Sequence, residues 1–351
     1  MKKIWIKVIH PAPYTYIWKT ATTNLFDIQY YYDFDKSLGK IWDDYNAEKV
    51  NKGNSLFSLS KKVRKSLDFD IVILSGWNRL DNLLIAFFRN FLLRKKVFFF
   101  ADYPLGSKNK ITEVFKFAIV RCISNGILSA SKSGVSYFSS KPFMLQKNVY
   151  YFPYGVSLVN CYNDKDNFQK LNSSNLKRLF IASNMIHRKG HLFFIDSLMK
   201  MPDNLLNKIE VNFAGHGEYS KKVADRMKMI KVKSIFHGWL SLKDYETLLN
   251  KIDILVHPSF DEPFGIPPIE AMLLGKIVVV SSGVHSLDGL INNGFNGFVY
   301  NKNDVHDLKN KITLALSCDA AEIAKNARVT ALKYFGKTQL KNSFIDISNS
   351  K

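Results

Sequence analysis

The chain has 351 residues, 46% of them hydrophobic, which suits two globular domains of roughly 150 residues each and excludes a mainly disordered protein. The charge is strongly basic, with 50 Lys and Arg residues against 30 Asp and Glu; residues 1–150 alone hold 24 basic and 11 acidic residues. Such a basic half indicates an anionic partner, namely nucleic acid, an acidic membrane surface or a phosphorylated substrate. A general enrichment in lysine is the competing explanation.

Cysteine usage and the chain start indicate a reducing compartment. Cys122, Cys161 and Cys318 are far apart and form no CxxC pair, which argues against a disulfide scaffold and against a structural zinc site. The opening MKKIWIKVIH has only a short apolar stretch and is typical of a first β-strand rather than of a signal peptide. Since no window reaches the roughly 20 apolar residues of a membrane span, we expect a cytoplasmic protein.

Both halves of the chain alternate strand-like and helix-like segments. In the N-terminal half the pattern predicts strands at residues 4–9, 71–74, 97–100, 126–129 and 149–152. In the C-terminal half the rhythm is clearer, with strands predicted at residues 179–182, 211–214, 234–236, 252–256, 277–280 and 298–300. Strands interleaved with helices indicate parallel sheets covered on both faces.

A polar stretch without periodicity, residues 160–175, is the best candidate for a linker. We therefore expect two α/β domains: residues 1–160, with 332–351 packing back on them, and residues 172–331. Domains of this kind commonly bind ligands in the cleft between them.

One segment of the C-terminal half carries most of the chemistry. It begins at His257 and reads HPSFDEPFGIPPIEAM, after a predicted strand and at the start of a predicted helix. Gly265 permits a tight turn, and Pro267 and Pro268 suit the first helical positions, where a missing N–H costs little. Free backbone N–H groups near Gly265 and Ile266 suit a pyrophosphate. Glu270, expected in the first helical turn, can accept hydrogen bonds from a ribose diol.

This segment resembles the signature of glycosyltransferase family 4, in which two glutamates lie seven residues apart in the context E-P-F-G-x-x-x-x-E-A. Glu262 and Glu270 match it in spacing and in context. Further similar strings are FAGHGE at 213–218, FHGWL at 236–240, GKIVVVS at 275–281 and NGFNGF at 293–298. The resemblance implies the GT-B fold: two Rossmann-like parallel-sheet domains that face each other across a cleft.

The resemblance also implies roles for individual residues. Glu270 binds the donor ribose, Glu262 contacts hydroxyls of the transferred sugar, and Lys189 neutralises the diphosphate leaving group, where a fixed cation is worth several kcal/mol. Phe264, Gly265 and Ile266 supply backbone contacts to the sugar and the phosphates. Gly215 belongs to the family's strand-end G-x-G turn and also lies among the donor-binding residues.

Two departures from the family pattern bear on the site. The arginine that usually precedes the lysine is absent at residues 182–184, and Arg188 is the candidate to replace it. The histidine that many relatives carry in the N-terminal domain aligns with Asp102, and His10 is the only histidine before residue 187. Either Asp102 or His10 can orient the acceptor hydroxyl; a purely structural role is the alternative for both.

No cofactor or metal is expected. The D-x-D strings at residues 33–35 and 68–70 lie outside the donor half, and we interpret both as structural. The helix dipole and Lys189 can neutralise the diphosphate in place of a metal ion.

Residues 77–100 combine aromatic, leucine and basic residues. Arranged as a helix over 80–95, they place a cluster of large apolar side chains on one side with basic residues nearby: Leu84, Phe87, Phe88, Phe91 and Leu92, then Arg89, Arg94, Lys95 and Lys96. This pattern suits an amphipathic helix on an acidic membrane, and a core helix is the alternative. No nucleic-acid-binding module is recognisable.

The sequence therefore predicts a retaining, metal-independent transfer of a hexose from a UDP- or GDP-sugar to a lipid-linked saccharide or similar glycan acceptor, in surface polysaccharide or lipopolysaccharide biosynthesis. We expect the protein to be cytoplasmic and to bind peripherally to the inner face of the cell membrane. The alternatives are a sugar-nucleotide epimerase of the same fold and a catalytically inactive scaffold at the membrane surface.

Overall fold

The structure is a computed structural model that describes residues 1–8, 13–32, 56–102, 110–145, 148–156 and 176–350. The chain divides into two compact units. Unit 1 comprises residues 1–157 together with 335–351, and unit 2 comprises residues 158–334.

Unit 1 is built on a parallel sheet, whose six described strands lie in the order β2-β1-β3-β4-β5-β6. The strands are β1 (Lys2–Val8), β2 (Phe26–Tyr32), β3 (Ile71–Ser75), β4 (Lys96–Ala101), β5 (Gly126–Ser129) and β6 (Val149–Tyr151). The helices are α1 (Pro13–Thr22), α2 (Leu56–Ser66), α3 (Leu80–Ala86), a π-helix (Phe87–Leu92), α4 (Lys110–Ile123) and α5 (Lys132–Ser139).

Unit 2 has a second parallel sheet, with its six described strands in the order β12-β11-β10-β7-β8-β9. The strands are β7 (Lys177–Ala182), β8 (Ile209–Ala214), β9 (Lys233–Phe236), β10 (Ile254–His257), β11 (Ile277–Ser281) and β12 (Phe298–Tyr300). The helices are α6 (His191–Leu198), α7 (Asp203–Leu206), α8 (Ser220–Met227), α9 (Leu242–Lys251), α10 (Ile266–Leu273), α11 (Val305–Ser317) and α12 (Ala320–Phe335), with short 3₁₀ turns at His187–Lys189 and His285–Leu287. The strand order of the unit 2 sheet is that of the Rossmann fold.

The central strands β10 and β11 of unit 2 are buried on both faces, which explains their nearly continuous apolar sequences. Side chains of β7, β8 and β10 pack with those of α6 in one core cluster that includes Leu179, Val211, Val256 and Phe194. The prediction of two α/β units with parallel sheets is therefore confirmed.

The last helix, α13 (Lys337–Asn349), belongs to unit 1. The Ser343 hydroxyl donates to the Tyr151 carbonyl at 2.9 Å, and the Lys2 ammonium donates to the Ser348 hydroxyl at 2.8 Å. The Phe344 ring contacts Phe152, with the centroids 4.7 Å apart. The chain thus returns to the first unit after completing the second.

The expected helix over residues 80–95 is wrong in its geometry. The α-helical part ends at Ala86 and continues as a π-helix, and Arg89 points inward instead of joining a basic surface. The guanidinium of Arg89 is fully buried and donates to the carbonyls of Phe69 at 2.9 Å and Lys96 at 3.3 Å. A buried arginine needs these acceptors because an unpaired charge there is costly.

Among the described helices, none combines the length and the apolar character that crossing a lipid bilayer requires.

Candidate functional site

The site in unit 2 lies where β7 and β10 are neighbours in the sheet. In the strand order the chain continues from β7 to β8 in one direction and from β10 to β11 in the other, so the direction of winding changes between β7 and β10. Open parallel sheets bind their ligands at this switch point. The loop that follows β7 carries Lys189, and the loop that follows β10 carries Glu262.

Gly190 brings these two loops into direct contact. Its φ is +68°, and a Cβ at this position would lie 1.9 Å from the Pro258 carbonyl oxygen. The Phe260 amide donates to the Arg188 carbonyl at 2.9 Å, which joins the same two loops through their backbones. Only glycine combines this conformation with this approach, so Gly190 allows the two loops to pack directly against each other.

Lys189 and Glu262 form a direct ion pair, and their side chains are mostly buried. The Arg188 guanidinium lies 3.6 Å from the same Glu262 oxygen and also donates to the Asp261 carbonyl. The Glu262 backbone is held by a hydrogen bond from its N–H to the Gly283 carbonyl at 2.8 Å. Two cations therefore converge on one fixed carboxylate.

His257 is the last residue of β10 and lies close to the carboxylate of this ion pair. Its Nε2 lies 3.5 Å from the Glu262 carboxylate and 3.2 Å from the Ser259 hydroxyl. Burial by itself raises the pKa of Glu262, but the hydrogen bond with His257 and the charge of Lys189 lower that pKa to about 2. Burial lowers the pKa of His257 itself. Glu262 is thus a carboxylate at neutral pH.

This shift leads to an expected pH dependence. The pKa of Glu262 lies below its ordinary value of 4.5, so its stabilising contribution is present above pH 4.5 and is lost as the pH falls toward about 2. Between pH 6 and pH 3 we expect the free energy of unfolding to fall by about 1–2 kcal/mol more in the wild type than in Glu262→Gln. Urea denaturation at both pH values measures this difference. Parallel pH profiles of the two proteins would contradict the assignment.

Helix α10 begins beside the ion pair. Gly265 caps it with a φ of +80°, and Pro267 and Pro268 follow Ile266 within the first turn, as the sequence indicates. The Phe264 carbonyl accepts a hydrogen bond from the Ser286 hydroxyl, which holds the turn. The positive end of the helix dipole and the N–H groups of the first turn suit an anion at this position.

The sequence predicts Glu270 in the first turn of the helix, but it is the fifth residue of α10 and therefore lies at the start of the second turn, since one turn takes about 3.6 residues. The side chain is buried, and it accepts a hydrogen bond of 2.7 Å from the Tyr245 hydroxyl on α9. The Tyr245 ring also contacts Phe180, with the centroids 5.9 Å apart. Tyr245 therefore holds the carboxylate in one orientation.

We expect Tyr245→Phe to weaken nucleotide binding by about tenfold or slightly more, since a hydrogen bond to a charged group is worth about 1.5 kcal/mol or slightly more. Isothermal titration with a nucleoside diphosphate measures the change. Tyr334→Phe, at another half-buried tyrosine of unit 2, is the matched control and leaves the dissociation constant unchanged. Equal affinities for all three proteins would show that Tyr245 does not position Glu270.

Gly215 joins a second set of loops at the same edge of the sheet. Its φ is +115°, its N–H donates to the Gly238 carbonyl at 2.7 Å, and a Cβ would lie 2.2 Å from the Ser183 carbonyl oxygen. The loops that follow β7, β8 and β9 therefore meet at this glycine.

The sequence names Asp102 and His10 as candidate site residues of unit 1, and the structure describes only the first of them. Asp102 directly follows β4 at the carboxyl edge of the unit 1 sheet and is half-buried. His10 lies outside the described residues.

The sequence did not assign roles to His257 and Tyr245. His257 opens the segment that we singled out, but its contact with Glu262 depends on the fold of the loop between them. Tyr245 has no signal in the sequence, since it comes from a different helix 25 residues before Glu270.

Of the two D-x-D strings, residues 33–35 lie outside the described residues. In the other, Asp70 accepts a hydrogen bond of 2.7 Å from the Lys3 backbone N–H at the exposed sheet end. Within the described ranges, no group of three or more His, Cys, Asp or Glu residues is arranged to hold a metal ion.

Comparison with known proteins identifies the region that contains this site. Residues 163–330 match the family model described as glycosyl transferases group 1. The serotype-specific mannosyltransferase WbdA of Escherichia coli is 30% identical over 115 residues, which are 32% of this chain and 14% of that protein. An N,N'-diacetylbacillosaminyl-diphospho-undecaprenol alpha-1,3-N-acetylgalactosaminyltransferase of Campylobacter jejuni is 36% identical over 93 residues, 26% of this chain and 24% of that protein.

The fold is shared along the whole chain. The crystal structure of HepE from Anabaena in complex with UDP superimposes with a TM-score of 0.75 at 18% sequence identity, and all of both chains is covered. The matched segments span about a seventh of WbdA and a quarter of the Campylobacter protein, whereas the structural match is complete. The chain thus has the GT-B fold of glycosyltransferases, and its residues 163–330 carry the glycosyl transferases group 1 match.

Proposed function

We propose that the protein is a retaining glycosyltransferase that moves a hexosyl unit from a UDP- or GDP-sugar to a lipid-linked saccharide, in the assembly of a surface polysaccharide. The observation that carries this proposal is the contact between Lys189 and Glu262 beside the start of α10. It joins a cation, a carboxylate and a helix N-terminus at the switch point of a Rossmann-type sheet. A nucleotide diphosphate with a sugar attached needs all three.

The donor is held in three parts. Glu270, oriented by Tyr245, accepts hydrogen bonds from the ribose diol. The backbone of Phe264, Gly265 and Ile266 at the start of α10 contacts the sugar and the phosphates. The nucleotide also contacts the turn at Gly215, where the loops that follow β7, β8 and β9 meet. The carboxylate of Glu262 binds hydroxyls of the transferred sugar.

Lys189 acts on the leaving group. The bond between the sugar and the diphosphate breaks in the transfer, and negative charge develops on the diphosphate. A lysine ammonium has three N–H donors, so Lys189 can keep its bond to Glu262 and still donate to a phosphate oxygen. Arg188 adds a second positive charge next to it. These groups neutralise the diphosphate without a cofactor in this proposal.

The acceptor binds to unit 1 in this proposal. Asp102 or His10 orients the acceptor hydroxyl for attack on the sugar. The Campylobacter relative acts on an undecaprenol-linked sugar, and HepE binds UDP, which supports a lipid-linked acceptor and a uridine donor for this chain. Such an acceptor is met at the inner face of the cell membrane.

A panel of UDP-, GDP-, ADP- and dTDP-sugars tests the proposal, with thermal stabilisation and release of the nucleoside diphosphate as readouts and EDTA present throughout. We expect one sugar nucleotide to raise the melting temperature of the wild type but not of Glu270→Ala. Glu262→Ala should bind the nucleotide and lose turnover. A protein that binds none of these compounds at millimolar concentration would be a scaffold, and one that only isomerises the donor would be an epimerase.

A further inference from the structure

The π-helix of unit 1 exposes an unusual number of large apolar side chains. We call this set the aromatic patch: Phe87, Phe88, Phe91, Leu92 and Leu93. The Phe91 side chain is 59% exposed, and its ring stacks on that of Phe87 with the centroids 5.1 Å apart. The rings are therefore already ordered against each other on the surface.

The π-helix exposes its apolar side chains and buries its charged one. The same π-helix places its one charged residue, Arg89, in the interior, where it donates to the backbone carbonyls at the end of α2 and the starts of β3 and β4. A surface helix normally has the opposite arrangement, with apolar residues inside and charges outside. π-Helical turns occur frequently at functional sites.

Helix α4 extends the apolar surface. It packs against the π-helix, and the Asn90 side chain donates to the Asn125 side chain just beyond the end of α4 at 2.8 Å. Along α4, Phe115 and Ile119 are one helical turn apart and are 67% and 50% exposed. Two neighbouring elements thus present exposed apolar residues, and clustered apolar exposure is typical of an interaction surface.

The charges near the aromatic patch are positive. Residues 56–96 hold nine Lys and Arg residues against three Asp. Arg94 and Lys95 follow the π-helix directly, Lys116 lies next to Phe115, and all three are exposed. Two carboxylates on the neighbouring helices form ion pairs within the unit: Asp81 on α3 with Lys7 at 3.0 Å, and Glu113 on α4 with Lys141 at 3.3 Å.

From these observations we propose that the aromatic patch and the exposed residues of α4 insert into the headgroup region of a membrane that contains anionic lipids. Apolar side chains flanked by Lys and Arg are the combination that such a surface binds. A second copy of the chain fits less well, because a symmetric contact would bring the same basic residues against each other. This inference rests on the proposed function, because membrane binding would bring the enzyme to its lipid-linked acceptor.

Sedimentation with lipid vesicles tests the inference on the full chain. We expect the protein to bind phosphatidylcholine vesicles that contain phosphatidylglycerol, to bind pure phosphatidylcholine vesicles weakly, and to dissociate in high salt. The double variant Phe88→Asp, Phe91→Asp should bind at least about tenfold more weakly, and Phe115→Asp should show a smaller loss. Phe295→Asp is the matched control, since Phe295 is similarly exposed at 52% but lies in unit 2.

Unchanged binding of the double variant would overturn the inference, as would equal binding to both kinds of vesicle. A wild-type dimer that the double variant dissociates, without vesicle binding, would assign the patch to a second copy instead. The vesicle assay contains no sugar nucleotide, and the double variant should keep its thermal stabilisation by the donor. A failure of the membrane surface is therefore distinct from a failure of the proposed transferase site.

Discussion

With the donor identified by the sugar-nucleotide panel, we expect Lys189→Ala to lower kcat by about 100- to 1,000-fold. The reason is the position of the ammonium: it is mostly buried, it contacts Glu262, and it lies beside the N-terminus of α10, where the diphosphate is proposed to bind. A charge fixed in such a place stabilises the departing diphosphate more than the bound donor. The effect should therefore appear mainly in kcat, measured as release of the nucleoside diphosphate.

Loss of Lys189 also removes an ion-pair partner of Glu262, which can destabilise the fold. A second variant therefore separates the effect on the chemical step from the effect on stability. Lys189→Arg keeps a positive charge and should restore part of the turnover, whereas a loss caused by misfolding would lower the melting temperature of both variants alike. Lys200→Ala, at an exposed lysine of unit 2, is the control and should behave as the wild type. If kcat falls less than about fivefold in a well-folded Lys189→Ala protein, Lys189 does not act on the leaving group.

The largest effect on stability is expected at Gly190. The φ of +68° costs an L-residue about 1–2 kcal/mol, and the added Cβ would collide with the Pro258 carbonyl oxygen. Together we expect Gly190→Ala to lower the free energy of unfolding by about 3 kcal/mol or more. Because Lys189 is the preceding residue, nucleotide binding should weaken as well.

Gly289 provides the matched control for this prediction. Its φ is +67°, but no atom lies within 4 Å of the position of an added Cβ. Gly289→Ala should therefore show only the conformational cost of about 1–2 kcal/mol. Urea denaturation of the two variants separates the steric contribution from the conformational one, and equal losses would mean that the two loops do not approach each other as closely as the structure shows.

The central strands of unit 2 could be predicted well because β10 and β11 are buried on both faces. Strand β11, for example, is predicted at residues 277–280 and observed at Ile277–Ser281. In unit 1, strand β2 (Phe26–Tyr32) was missed. It lies at the edge of its sheet and alternates buried residues such as Ile28 with exposed ones such as Gln29, so it lacks the continuous apolar run that identifies a central strand.

Arg89 shows where local patterns fail in the other direction. Placed on a regular helix, it belongs with Arg94 and Lys95 on a basic surface. The change from α-helix to π-helix after Ala86 alters the spacing of side chains around the axis, and the carbonyls near Phe69 accept the guanidinium inside the unit. Neither the helix type nor those acceptors can be derived from the local sequence.

The amino-acid sequence by itself determined the two α/β units and named the donor-site candidates, because strand runs, glycine turns and the spacing of Glu262 and Glu270 are local properties of the chain. Only the tertiary structure decided which of these groups meet. Lys189 and Glu262 are 73 residues apart, and they touch because β7 and β10 are neighbours at the switch point of the sheet. Strand order follows from long-range packing, which no short stretch of sequence encodes.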